Sequence, residues 1–288
     1  MSQASDYLYL LASKITKPYT ALPTLRAAMV TGSVAKGLSD HYSDIDMTYY
    51  YEETLPEESV LASIREGNGG SERKWIIGDR KTGSFAEAFH IDGVEVQIGH
   101  TTIESWEKSM AEVLENHNVD TPLHKAMEGT INSKALFGET YMAQWQAQIA
   151  GFPDELAEAM VQHNLQFFPL WGLEPHFSSR DATVWYYQSL VESAHRLIAI
   201  LAGLNRLYFT TFQFKRMARF INQMSIKPND LTSRLESLFS TDFQTAVSEL
   251  ESLVAETVAL VEQHMPTLDT TKAKARIGWR QEPWEPNI

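Results

Sequence analysis

The sequence contains no cysteine. That excludes disulfides, thiolate metal sites and a cysteine nucleophile together, and it fits a reducing compartment. Positive charge is scarce as well: 24 lysines and arginines stand against 37 acids, for a net charge of −13. Such a field repels polyanions and attracts cations, and no basic face of the kind that duplex DNA or long RNA needs is visible. Long apolar runs are missing too. The strongest, Leu197 to Leu204, is far too short to cross a bilayer. The first residues, MSQASDYLYLLASK, put no basic segment ahead of an apolar one, so no secretory signal is expected. Together these absences point to a cytoplasmic protein with neither a membrane nor a duplex nucleic acid as partner. The bulk is ordinary: 288 residues, 43% apolar and 21% charged, suit one large domain or two of usual size.

Two textures divide the chain, and an α+β class is expected. From about Leu25 to Phe137, short β-rich runs alternate with helical ones. Leu25 to Thr31 and Asp44 to Tyr51 suit strands, and Pro56 to Glu66 suits a helix with proline and acids in its first turn. Ser84 to Ile91 and Val94 to Gly99 flank Asp92-Gly93, a preferred pair for a tight hairpin turn. Thr102 to Asn116 resumes helical spacing. Beyond Glu139 the strand signals fade. Asp154 to Phe168, Thr183 to Leu204, Phe212 to Met224, and Leu231 to His264 in more than one piece predict helices. The expected plan is a mixed β-sheet with flanking helices over residues 1–140, then an α-helical bundle over residues 141–288. The boundary falls between Phe137 and Pro153. From Pro266 onward periodicity is weak, which predicts a frayed tail; the alternative is a tail packed on its own or a partner chain.

Residues Val30 to Glu52 read VTGSVAKGLSDHYSDIDMTYYYE. Side chains two apart on a strand share a face, so Asp44, Asp46 and Thr48 point one way and Ile45, Met47 and Tyr49 the other. Paired carboxylates repel unless a cation lies between them, which predicts a metal. Hard oxygen ligands favour Mg²⁺ or Mn²⁺. On the hairpin, Glu95 and Gln97 face opposite Val94, Val96 and Ile98, so Glu95 is a candidate third carboxylate. Gly32-Ser33 ends the first strand where a helix is expected to begin, a place where N–H groups and a hydroxyl bind phosphate. The turn is not a P-loop: Gly32 and Gly37 have the right separation, but Leu38 stands where that motif needs lysine. His90 and His100 flank the hairpin strands without metal-ligand spacing and suit surface or supporting positions. The plain alternative for the whole stretch is surface aspartates on an edge strand.

These residues carry a resemblance. Gly32-Ser33, Asp44-Ile45-Asp46 within apolar flanks and Glu95 on a later strand resemble the polymerase-β-like nucleotidyltransferase superfamily. Tyr42-Ser43-Asp44-Ile45-Asp46 resembles its aminoglycoside and lincosamide branch, and Val94 to Gly99 is similar to the third-carboxylate strand of the streptomycin/spectinomycin adenylyltransferases. The similarity covers Leu25 to Trp106; the helical half matches in architecture alone. It implies Mg²⁺ (or Mn²⁺) on Asp44, Asp46 and Glu95, with Gly32 and Ser33 holding the phosphates of ATP or another nucleoside triphosphate. An acceptor hydroxyl would attack the α-phosphorus and pyrophosphate would leave, with Glu95 binding a second metal or taking the proton.

Lys36 and Lys215 are candidate phosphate contacts, with a solvated loop lysine and a patch paired to surface acids as the alternatives. Gln188, Glu192, His195 and Arg196 share a helix face, and Gln188 and Glu192 are candidates for the acceptor; a plain solvated face is the alternative. Tyr187, Val191, Ala194, Ile198 and Leu201 are expected on the buried side. Three functions compete. The first adenylylates a small hydroxyl-bearing molecule such as an aminoglycoside, whose cationic character suits an acidic protein. The second modifies a macromolecule, a protein side chain or a tRNA end, as toxin–antitoxin relatives do. The third is a non-catalytic nucleotide-binding module. The oligomeric state is open.

Overall fold

A computed structural model describes residues 2–173, 176–177 and 179–284. The chain divides into two compact units, Met1–Asn116 with Ala126–Gly151, and His117–Lys125 with Phe152–Ile288. The class is α+β, as the two textures of the sequence predict.

In the first unit α1 (Gln3–Thr16) precedes β1 (Leu25–Val30), the one-turn α2 (Gly32–Ala35), β2 (Ile45–Tyr51) and α3 (Glu58–Gly67). Then come β3 (Trp75–Asp79), β4 (Ser84–Ile91), β5 (Val94–Thr102), α4 (Ile103–Leu114), α5 (Leu123–Ile131, whose residues up to Lys125 belong to the second unit), β6 (Lys134–Phe137) and α6 (Glu139–Ala150). The six strands form one mixed sheet in the order β3-β4-β5-β2-β1-β6, in which β2 and β5 run parallel and the other neighbours antiparallel. Asp92 and Gly93 both have positive φ, at 51° and 80°. That is the twist-matched two-residue turn their sequence predicts.

Alternation along β2 sorts its two faces. Ile45, Met47 and Tyr49 are buried, and with Val96 and Ile98 they meet Leu8, Leu11 and Ile15 of α1. Asp46 and Thr48 face the other way and are half-buried. Further along that second face Tyr50 is covered by Trp145 and Trp106, at ring separations of 4.6 and 5.7 Å. The acid-bearing face is thus dry at one end and open at the other.

The second unit is helical: α7 (Asp154–Asn164), α8 (Thr183–Leu204), α9 (Met217–Ile221), α10 (Leu231–Ser237), α11 (Phe243–His264) and α12 (Thr271–Lys274). Residues 197–204 of α8 are all buried, and a Cβ on Gly203 would lie 2.9 Å from Val161 of α7, so the two helices cross closely there. No helix among the described residues is long and apolar enough to cross a membrane.

Four expectations need correction. The Phe212 to Met224 helix shrinks to α9, because Gln213 and Arg216 adopt left-handed φ of 48° and 61° and Thr210 Oγ1 caps a turn at Phe212 N. The first half of α8 is turned differently from expectation: Tyr187 and Val191 are exposed. As far as Gln281, whose N–H donates to the Gly172 carbonyl at 3.0 Å, the tail packs on its own chain rather than fraying. Trp279 packs onto Gly172, where a Cβ would meet its ring at 2.3 Å, and Arg280 pairs with Glu251. His100 is fully buried in the sheet core rather than at the surface.

Candidate active site

Three strand ends build the site. Thr31 N donates to the Asp46 carbonyl at 2.9 Å, which lays the end of β1 beside the start of β2. Gly32 then turns with φ of 64°, and a Cβ there would stand 2.4 Å from Asp46 Oδ2. The Asp46 carboxylate therefore occupies the space that glycine leaves open. Ser33 Oγ lies 3.1 Å from Ser39 Oγ, and Ser39 N donates to Ser5 Oγ at 2.9 Å, so hydroxyls tie this turn to the start of α1.

The parallel pairing of β2 with β5 sets Asp46 beside Gln97. Partnered residues in a sheet point to the same side, so Glu95 and Gln97 share the face of the aspartates. The Gln97 amide donates to Asp44 Oδ2 at 2.9 Å and to Glu95 Oε1 at 3.0 Å, and so links the two acids. Lys74, just before β3, forms an ion pair with Glu95, and His90 Nε2 lies 4.0 Å from the same carboxylate. The Lys74 hydrogen bond, ahead of the opposing effect of burial, lowers the Glu95 pKa. Lys36 forms an ion pair with Glu128 in α5. Among the described residues no group of three or more His, Cys, Asp or Glu side chains is arranged to hold a metal ion. The pair Asp44 and Asp46 supplies hard oxygen donors on one face, and Glu95, on the same face, is held by Lys74 and Gln97.

Beneath the sheet lies a second polar cluster. Glu87, with no exposed surface, accepts hydrogen bonds from Arg65 at 2.8 Å and from Arg73 at 2.7 Å. His100 Nε2 is 3.4 Å from Glu87, and its Nδ1 meets the Tyr51 hydroxyl at 2.9 Å. Burial pushes the Glu87 carboxyl up, but the hydrogen bonds and charges of His100 and Arg73 bring it down to about 2. Burial lowers His100 in turn, against the hydrogen bond and charge of Glu87.

Lys215, Gln188 and Glu192 belong to the second unit. Lys215 is exposed ahead of α9, and Gln188 donates to Glu192 at 2.9 Å. Sequence reasoning missed Lys74, Ser39 and Glu128, and it placed Gln97 on the correct face without giving it a role. Only the period-two parity that selected Glu95 pointed to Gln97.

No family model matches the chain, and no curated protein matches it. Among solved structures it is similar to a nucleotidyltransferase-like protein from Exiguobacterium sibiricum 255-15, at 14% identity and a TM-score of 0.36, over 90% of this chain and 80% of that one.

Proposed function

We propose that the first unit is the catalytic unit of a nucleotidyltransferase that moves AMP from ATP to a hydroxyl of a small molecule and releases pyrophosphate. The observation that supports this best is the Asp46 carboxylate seated against the Gly32 turn, on the same sheet face as Asp44, Gln97 and Glu95. Asp44 and Asp46 would hold Mg²⁺ or Mn²⁺, which suits their oxygen donors. The bound cation would neutralise the triphosphate and polarise its α-phosphate. Ser33 and the N–H groups of its turn hold the terminal phosphates. Lys36, which pairs with Glu128, is the further candidate for these phosphates. Gln97 fixes the spacing of Asp44 and Glu95. As the acceptor oxygen bonds to the α-phosphorus and pyrophosphate departs, Glu95 takes the hydroxyl proton; the Lys74 contact keeps it ionised for that task. Positioning and charge neutralisation supply most of the rate.

The acidity of the chain suits a cationic acceptor such as an aminoglycoside. The test is incubation with ATP and Mg²⁺ against an aminoglycoside panel, reading pyrophosphate. Release that depends on one compound supports this reading. Label on protein or tRNA supports the macromolecular alternative, and binding without turnover a regulatory module. Asp46→Ala should lower turnover by ~10²-fold or more, the scale seen when one electrostatic element of a site is removed. Near-normal turnover in that variant would remove the assignment.

A further inference from the structure

A separate concavity lies wholly within the second unit, and of the candidate site residues read from the sequence it includes Glu192 alone. It is an open cleft of about 530 Å³, of the size that takes a small organic molecule. Its apolar floor is made by Met160 of α7, Ala199 of α8 and Phe209, all buried. Phe212 stands at the rim, 55% exposed, with Lys125 Nζ 5.1 Å from its ring centre.

Arg196 of α8 lines this cleft and is half-buried. Among the described residues its guanidinium makes no hydrogen bond or ion pair. Every other described arginine drawn back from full exposure has a carboxylate: Arg26 has Glu52, Arg65 has Glu87, Arg73 and Arg80 have Glu58, and Arg234 has Glu256. Glu192 lies one turn before Arg196 and lines the same cleft, yet it accepts from Gln188 instead. A guanidinium partly withdrawn from water is costly to leave unmatched, and one without a partner in a protein of net charge −13 is notable. Its planar fork of donors suits a carboxylate or phosphate. His195 next to it has a pKa lowered by burial, so its neutral ring adds a donor without adding charge.

We infer that this cleft binds a small aromatic anion, a carboxylate or a phosphate monoester, with the anionic group on Arg196 and the ring against Met160, Ala199 and Phe209. The site is independent of the nucleotidyl transfer proposed for the first unit. The test is calorimetric titration of the full chain, without divalent metal, using benzoate and phenyl phosphate, with inorganic phosphate and benzyl alcohol as controls. At least one aromatic anion should bind more tightly than both controls, and the tighter of the two identifies the headgroup. Arg196→Gln should weaken that probe by at least ~10-fold, the loss expected for one charge-assisted contact. Arg196→Lys, which keeps the charge and protects the fold, should weaken it less, because the fork is lost but the charge stays. Asp46→Ala should bind the probe as the parent does. Absence of binding at millimolar probe, equal binding of benzyl alcohol, unchanged binding in both arginine variants, or loss of binding in Asp46→Ala would each overturn the inference.

Discussion

A methyl group at position 32 would stand 2.4 Å from Asp46 Oδ2, on a backbone whose φ of 64° already disfavours any side chain. Two penalties therefore coincide at one residue. The left-handed conformation costs roughly 1–2 kcal/mol, and the carboxylate must move from the position proposed to serve the metal. Gly32→Ala should lose pyrophosphate release by ~10²-fold, on the scale of removing one electrostatic element, while its melting temperature falls only modestly. Parent-like turnover would mean that the seat of Asp46 at the turn has no catalytic use. Lys74 offers a different test. Its hydrogen bond lowers the Glu95 pKa, so Lys74→Gln should raise it. If Glu95 takes the acceptor proton, the acid limb of the kcat/KM profile moves to higher pH. A limb that stays in place would count against Glu95 as the base.

The elements differ in how well the sequence announces them. The second-unit helix Thr183–Leu204 could be read end to end, because 22 residues of helical periodicity leave little choice. Its rotation could not, since that depends on which neighbours cover Tyr187 and Val191. Strand Trp75–Asp79 escaped notice because it is a five-residue edge strand with Ile76 and Ile77 exposed, so it lacks the alternation that marks a half-buried strand. Missing it hid Lys74, and with it the partner of Glu95. The acids themselves were legible because parity is local; their link through Gln97 rests on a register between strands some fifty residues apart. Buried Glu87 was unreadable for the opposite reason: within an apolar strand a lone glutamate signals nothing until Arg65 and Arg73 arrive from elsewhere. Glu87→Gln should cost about 3 kcal/mol or more, because two guanidiniums then face a neutral amide in a buried site. Denaturant midpoints would measure it, and a loss below ~0.5 kcal/mol, the level of an ordinary surface substitution, would show that this cluster does not support the sheet.

For the whole molecule, the shifted acids and histidines act in one direction on stability. Glu87, Glu95, Glu251 and Glu256 all titrate below their usual values: burial pushes each one up, most of all at Glu87 and Glu251, and hydrogen bonds and ion pairs outweigh it. His100, His124 and His195 are lowered by burial. In each case the native state binds fewer protons than the unfolded chain once the pH drops to the unfolded pKa. Stability is then complete above the ordinary histidine value of about 6.5 and declines as acid is added, first through the histidines and then through the carboxylates. For Glu87 the loss continues down to its native value of about 2. The net charge vanishes near pH 5.1, where self-repulsion is least. If repulsion dominated, the melting temperature would peak there. Specific pairing predicts instead a fall in melting temperature from pH 7.5 through 5 to 4, with the decline below about pH 4.5 shallower in Glu87→Gln, which has no carboxylate left to protonate. A maximum at the isoelectric point, or an unchanged acid slope in that variant, would place the control of stability in overall charge rather than in the buried cluster under the sheet.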